Sequence, residues 1–262
     1  MFEEYKVKKL KKEQRKRLDN FNKEYGIESF FETDYTHITL VIYKINNLEI
    51  VNKIMLGEYI NKIIDCLIVP LGNRDIIIEY RGISFNVPFI TFCDVYAFYL
   101  RKQLIYKDCI FQTSSLFNFN NNPLDVTFDN CEFKGDLFIS GEKVVMTIKN
   151  NFQIGGTLST YTASLQLDCG INSKSDINIH VNNTIGDGYK TPIKGKNIKF
   201  TAYNNCSYIW LCGQIVEFNN PVNSEVTIDS QSVTYNGNKM INESNSTIGI
   251  YPVEKEKVMK IE

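Results

Sequence analysis

Two aspartates and a histidine come closest, in type and spacing, to a hydrolytic site. Asp176 directly precedes the segment INIHVNNTIGDG, and His180 and Asp187 lie within it. Two carboxylates flanking one glycosidic bond can serve as acid and base, or as acid and nucleophile. Aspartates in turn-rich sequence are more often turn formers, and an exposed histidine is more often solvated than catalytic. We therefore expect no catalytic residue and keep these three as the weaker, enzymatic alternative.

Cysteine and histidine could supply a nucleophile or a metal site, but their number and spacing argue against both. The only histidines are His37 and His180, and no two cysteines are spaced as C-x₂-C. The odd count also weakens a disulfide framework. We expect reduced, mostly buried thiols, no metal and no cofactor. The seven cysteines are Cys66, Cys93, Cys109, Cys131, Cys169, Cys206 and Cys212.

Clustered aromatic residues give a different signal, which indicates binding rather than catalysis. The segment YNNCSYIWLCG places Tyr203, Tyr208 and Trp210 close together. Tyr208 and Trp210 share one face if the segment is a strand, because side chains alternate every two residues. Exposed, such a pair could stack on a sugar ring or anchor a protein partner. Buried, it would be part of the core, and the sequence leaves both readings open.

The elements that must position these residues follow a repeat of about twenty residues. KDCIFQ, DNCEFKGD and KNNFQIGG place Phe111, Phe133 and Phe152 at similar intervals, with Cys109 and Cys131 two residues before the first two. In a stack of coils, equivalent positions lie about 4.8 Å apart. The pattern predicts an internal stack of the three rings, with a step of small cysteines beside it. The Asn and Asp residues between the runs are typical of turns.

From about residue 75 to 250, short β-rich runs alternate with Asn, Gly, Ser and Asp. In period and texture this segment resembles right-handed parallel β-helices, such as those of pectate lyases and phage tail spikes. The fold class we predict is mainly β, a parallel β-helix (β-solenoid) with a small N-terminal α/β module. A sandwich or jelly roll would also give short strands with turn signals. The resemblance also implies carbohydrate cleavage, for which lyases of this fold use clustered acids and a basic residue, usually Arg or Lys, that takes the proton. All five arginines of this chain precede the regular part of the solenoid, which argues against that role.

The N-terminal segment differs from the rest in charge and in periodicity. Residues 2–24 predict a helix with a thin apolar stripe and otherwise basic faces, followed by a strand at 36–45 and an amphipathic helix within 46–68. So thin a stripe needs a partner surface to hold the helix. We therefore divide the chain into a docking module at 1–72, the solenoid at 73–250 and a C-terminal cap or arm at 251–262. The stripe consists of Leu10, Leu18, Phe21 and Tyr25.

Composition limits the classes of function. The 262 residues carry 29 basic and 30 acidic side chains, for a net charge of −1, which favours neither nucleic acid nor membrane as a partner of the whole chain. No stretch is long and apolar enough to span a bilayer. The basic N-terminus lacks the apolar segment of a secretory signal, so we expect a protein that is cytoplasmic when made.

We therefore expect a structural or binding β-solenoid that belongs to a larger assembly, and the resemblance to β-helix proteins implies that this assembly is a phage virion or tail. The alternatives are a carbohydrate-active lyase or glycosidase of the same fold and an intracellular protein-binding inhibitor. The expected partners are proteins, or a second copy of the chain, bound through the N-terminal module. A carbohydrate ligand is a further candidate, nucleic acid is considered only near the basic helix, and no membrane is expected.

Overall fold

The structure, a computed structural model, describes residues 2–33, 37–46, 75–86, 89–92, 102–119, 123–220, 224–241 and 246–250. These ranges contain one α-helix, one short 3-10 turn at Gly188–Lys190, and 19 strands. No helix within them combines the length and hydropathy needed to cross a bilayer. In chain order the elements are α1 (Phe2–Tyr25), β1 (Ile27–Thr33), β2 (His37–Ile45), β3 (Asp75–Arg81), β4 (Ser84–Phe85), β5 (Phe89–Phe92), β6 (Lys102–Lys107), β7 (Ile110–Phe111), β8 (Ser115–Asn118), β9 (Leu124–Phe133), β10 (Leu137–Ile154), β11 (Leu158–Leu167), β12 (Ile171–Ser173), β13 (Ile177–Ile185), β14 (Pro192–Lys194), β15 (Asn197–Ala202), β16 (Cys206–Asn219), β17 (Ser224–Tyr235), β18 (Asn238–Ile241) and β19 (Ser246–Ile250).

The strands stack into a parallel β-solenoid of about six turns. Each coil passes through three parallel ladders, which we call walls A, B and C in the order in which the chain meets them. Wall A begins with β2, β3 and β6, wall B with β4 and β7, and wall C with β5 and β8. From β9 onwards long strands bend from one wall into the next, and β10 runs through walls C, A and B. The predicted mainly β, parallel solenoid is confirmed.

Alternation of apolar and polar residues explains why these segments close into coils. Along β9, Val126, Phe128, Cys131 and Phe133 are fully buried, and the residues between them lie on the outside. A strand presents successive side chains to opposite faces, so each wall sends one set inward and the other to solvent. Neighbouring coils pair in parallel register, and like residues therefore stack on like. Tyr80, Tyr106 and Phe128 form such a column, with ring centroids 5.2 and 5.3 Å apart.

A second aromatic column lies behind wall B and contains two of the three predicted rings. Phe111 and Phe133 stack with their centroids 4.4 Å apart and their planes 5° from parallel. Phe85 extends the column by one coil, 4.8 Å from Phe111. Cys109 and Cys131 are buried beside the column, each within 3.3 Å of a backbone carbonyl oxygen. The prediction that these coils stack in this register is confirmed for Phe111 and Phe133.

Phe152 points inward as predicted, but its register differs from the one proposed. It pairs with Cys131, and Ile154 takes the position opposite Phe133. The cause is a register shift in β10, where Asn150 and Asn151 together oppose the single residue Asn130. Phe152 still contacts the column edge-on, 5.4 Å from Phe133.

The corner between walls A and B is built on residues in the left-handed backbone region. Gly82, Asp108, Asn130 and Asn150 occupy it in successive coils, with φ between 54° and 67°. Glycine, asparagine and aspartate tolerate this conformation best, which explains the Asn- and Asp-rich turns of the sequence. The amide Nδ2 of Asn130 donates a hydrogen bond of 2.6 Å to Oδ1 of Asp108. The corner residues of neighbouring coils are thus linked to one another.

Antiparallel strands cover both ends of the described solenoid. β1 pairs antiparallel with β2 at the N-terminal end, and β18 and β19 pair antiparallel with β17 at the other. An open solenoid end would present a row of unpaired backbone groups to other chains. The sequence indicated a C-terminal cover or arm at 251–262, which lies outside the described residues; the cover that the structure describes is formed by the strands just before it, at 238–241 and 246–250.

The N-terminal helix packs on the end of the solenoid that β1 covers. Leu18 and Phe21 are buried in the same core cluster as Ile27 of β1. Asn22 and Ser29 join the helix to β1 through a 2.7 Å side-chain hydrogen bond. The side chains of Leu10 and Tyr25 are outside the described set, as is the predicted helix at 46–68. Wall A continues across residue 72, because β2 pairs in parallel with β3.

Candidate binding groove

A shallow groove lies on the outer surface where wall C turns into wall A. Its shape follows from the number of residues that successive coils use for this corner. In β11 and β13 a single unpaired residue, Ala163 and Asn182 respectively, separates the part of the strand in wall C from the part in wall A. The preceding coil uses three residues, 142–144, opposite Ala163. The following coil uses three, 203–205, opposite two in β13. The two middle coils are therefore recessed between longer corners.

The groove has a volume of about 250 Å³ and a mixed aromatic and polar lining. Glu142 and Tyr203 come from the longer corners on its two sides. Tyr161 and His180 lie side by side on wall C, with ring centroids 6.3 Å apart. Drug-sized ligands need pockets of about 300–1,000 Å³, so this groove can hold one ring or one residue of a longer ligand. Its lining is Glu142, Tyr161, Thr162, His180, Val181, Asn182 and Tyr203.

The three aromatic residues singled out from the sequence lie in three different settings. Tyr203 is 45% exposed and lines the groove. Tyr208 is 53% exposed and occupies a left-handed backbone position, with φ of 56°. Trp210 is half-buried in wall B, and its indole Nε1 donates a 2.7 Å hydrogen bond to Asp229. Tyr208 and Trp210 flank the buried Ile209, so both lie on the outside, but the three residues do not form one binding surface.

The three residues of the enzymatic alternative, Asp176, His180 and Asp187, also lie in three separate places. Asp176 is at the corner before wall C, where Oδ1 accepts a 2.9 Å hydrogen bond from Asn197. Asp187 is at a different corner, between walls A and B, and forms an ion pair with Lys190 at 2.9 Å. His180 is in the groove. The two carboxylates therefore lie at different corners and do not flank one site, and both hold turns.

The groove offers one carboxylate, whereas glycoside hydrolysis in its usual form uses two. Glu142 is the one acidic residue in the lining. Glu217, another acidic residue of wall C, is outside this lining and forms an ion pair with Lys199 at 3.1 Å. Hydrogen bonds from Asn219 and Lys199 lower the pKa of Glu217, which keeps it ionised and unsuited to act as an acid. The arrangement is thus suited to contact a ligand rather than to cleave one.

The cysteines of the described chain are poor nucleophiles. Cys109, Cys131 and Cys206 are fully buried, and Cys169 and Cys212 are half-buried. Burial raises the pKa of Cys109 to about 12 and is the main cause that raises those of Cys169 and Cys212 to about 11. Burial also raises the pKa values of Cys131 and Cys206. Within the described residues no three His, Cys, Asp or Glu side chains are grouped so as to hold a metal ion.

The sequence analysis named His180 and Tyr203 of the groove lining and missed the rest, of which Tyr161 and Glu142 bear most on binding. Tyr161 lies in a run of alternating small and polar residues, TLSTYTASLQL, in which it is the single aromatic. An isolated aromatic at an outward strand position was a usable signal, but the recess around it depends on corner lengths in three separate coils. Comparisons of the chain with protein-family models, with curated proteins and with solved structures find no significant match.

Proposed function

We propose that this chain is a structural and binding β-solenoid that acts as a component of a larger assembly, a phage virion or tail. The observation that carries the proposal is the continuous stack of core residues between two ends that are each covered by antiparallel strands. Columns of stacked aromatic rings make such a body rigid, and covered ends stop it from adding strands without limit. The step from this architecture to a role in an assembly is an analogy between folds.

The chemistry of the described surface also supports a binding role over an enzymatic one. The groove contains one carboxylate, the two aspartates suggested by the sequence hold separate turns, and the five described thiols are buried or half-buried, with raised pKa values. Each of these groups has a structural partner or lacks the second group that catalysis would need. The expected behaviour is binding without turnover.

The decisive experiment is to purify particles from the source culture and to identify their proteins by mass spectrometry. The proposal predicts that the chain is present at a fixed copy number per particle and remains after a wash in 1 M salt. Its absence from particles, combined with its recovery as a free protein from the same cells, would contradict the proposed role and would favour the inhibitor alternative.

A carbohydrate is the second candidate for the function, as the ligand of the wall groove. The observation in its favour is the outward pair of Tyr161 and His180 beside Tyr203 and Glu142. Aromatic faces stack on sugar rings, and a carboxylate accepts hydrogen bonds from sugar hydroxyls. Calorimetric titration with oligosaccharides from host-type surface glycans is expected to show binding that Tyr161→Ala removes.

Tyr208→Ala is the matched control for that titration, because Tyr208 is equally exposed but lies outside the groove lining. Release of reducing ends should be measured in parallel. Cleavage of the glycan that Glu142→Gln abolishes would replace the binding reading with the enzymatic alternative. Equal affinities for the two tyrosine variants would remove the groove as the site.

A further inference from the structure

Charge is segregated between the N-terminal helix and the solenoid. Nine of the 29 basic residues and five of the 30 acidic residues lie in α1, so α1 carries +4 and the rest of the chain −5. The concentration is highest at residues 6–17, where eight basic residues accompany one acidic residue, Glu13. The net charge of −1 therefore conceals a strongly basic element attached to an acidic body.

The basic residues of the helix whose side chains are described are exposed and point away from the core. Leu18 and Phe21 are buried against the solenoid. Lys12, Lys16 and Lys23 are exposed, and at 3.6 residues per turn they lie on the opposite side of the helix. Arg15 is exposed beside them. We call Lys12, Arg15, Lys16 and Lys23 the basic face.

No member of the basic face forms an ion pair in the part of the chain that the structure describes. Asp19 lies among these cations and Glu13 lies beside them, but within the described chain neither acid forms a salt bridge with any of the four. Four exposed, unpaired cations on one side of the helix create a local positive potential. The face is therefore suited to an anionic partner.

The composition of the face distinguishes between kinds of anionic partner. A helix that lies on a membrane needs an apolar face toward the lipid, but Leu18 and Phe21, the described members of the apolar stripe of α1, pack in the solenoid core. Protein interfaces are depleted in lysine and anchored by aromatic residues, and the basic face has no aromatic member. Nucleic acid binding without sequence preference, in contrast, relies on Lys and Arg contacts to phosphates.

We propose that the basic face of α1 binds the phosphate backbone of double-stranded nucleic acid without sequence preference. Three of its four members are lysines, which act as point charges toward phosphate and offer no bidentate reading of base edges. The proposal concerns a surface separate from the wall groove. It stands or falls independently of the proposed role in an assembly.

The test is fluorescence anisotropy of the full-length protein with a labelled 24-base-pair DNA duplex of arbitrary sequence, across a range of salt concentrations. If each of the four cations neutralises one phosphate, the logarithm of the association constant falls with the logarithm of salt with a slope of about −3.6. A duplex of unrelated sequence is expected to bind with the same affinity. Replacing all four residues by Gln is expected to weaken binding by at least about tenfold at 100 mM salt and to flatten the slope by about three units.

The matched control replaces four exposed lysines of the solenoid, Lys174, Lys194, Lys196 and Lys239, by Gln, which changes the net charge equally. This variant should bind DNA like the original protein. Equal loss in both variants, or no binding by the original protein at 50 mM salt, would overturn the proposal. Binding to phosphatidylserine vesicles but not to the duplex would assign the face to a membrane instead. If circular dichroism shows that the helix variant is unfolded, the test uses only the original protein and the slope of its association constant against salt. A slope shallower than about −1 rejects the proposal.

Discussion

The indole Nε1 of Trp210 donates a hydrogen bond of 2.7 Å to Oδ2 of Asp229, which lies one coil later. The other carboxylate oxygen, Oδ1, accepts a 2.6 Å hydrogen bond from the hydroxyl of Thr247 in β19. One carboxylate therefore connects wall B to the antiparallel strand that covers its C-terminal end. Trp210, which the sequence suggested as a binding residue, contributes in this way to the cap.

The carboxylate of Asp229 should hold β19 in place. Asp229→Ala removes the acceptor of both donors and is expected to cost about 1–3 kcal/mol of unfolding free energy, mainly because the partly buried indole N–H of Trp210 loses its partner. Hydrogen exchange should accelerate at residues 246–250 more than elsewhere. Asp168→Ala, at an exposed carboxylate, serves as the control and should change stability by less than about 0.5 kcal/mol. Unchanged exchange in β19 of the Asp229 variant would show that the connection is not stabilising.

The phenylalanine column should dominate the stability of the middle coils. Phe133→Ala is expected to cost about 3–5 kcal/mol, because Phe133 is fully buried and stacks directly on Phe111. Urea unfolding measured by circular dichroism gives this value. The matched control is Phe138→Ala, since Phe138 is 42% exposed on the outer face of wall C. A loss below about 1 kcal/mol at Phe133, or equal losses at both positions, would contradict the column.

Asn130 lies in the left-handed backbone region, so the effect of a substitution on stability should depend on whether the new residue has a Cβ as well as on the lost amide. Both Asn130→Ala and Asn130→Gly remove the hydrogen bond to Asp108, but only glycine keeps φ near 55° without strain. The alanine variant should therefore be less stable than the glycine variant by about 1–2 kcal/mol. Thermal unfolding of the pair checks this. Equal melting temperatures would mean that the corner relaxes to another conformation.

The buried thiols should be inert, and no metal should be needed for folding. With pKa values raised to about 11 and 12, Cys169, Cys212 and Cys109 remain protonated at pH 8, and only the thiolate reacts readily. In a Cys66→Ser/Cys93→Ser background, a disulfide reagent at pH 8 should modify none of the five remaining thiols until the protein is unfolded.

Chelator and reductant complete that experiment. Neither EDTA nor dithiothreitol is expected to change the melting temperature of the full-length protein. Rapid modification of a native thiol would contradict the burial of these cysteines. A fall of several degrees with either additive would reveal a structural metal or a disulfide in the folded protein.

Much of the fold could be predicted from local pattern because the physics of each coil is local. Alternation within a run decides which side chains face inward, and Asn and Asp mark the turns, since they tolerate positive φ. The equivalence of Phe111 and Phe133 followed from the Cys two residues before each ring and the Asp or Asn before that Cys. The same reasoning misplaced Phe152, because one additional Asn at the corner shifts the register of β10. The spacing of a repeat does not show which residue forms a bulge.

The candidate groove shows the limit of such reasoning. By itself the sequence determined a parallel solenoid, an inward column of aromatic rings, buried thiols and a basic helix with a thin apolar stripe. Only the tertiary structure decided that Tyr161, His180, Tyr203 and Glu142 surround one recess and that Trp210 is bound to Asp229. The physical reason is that a coil's interior depends on residues two apart, whereas the shape of its outer surface depends on differences between corners about twenty residues apart, which become neighbours only when the coils stack.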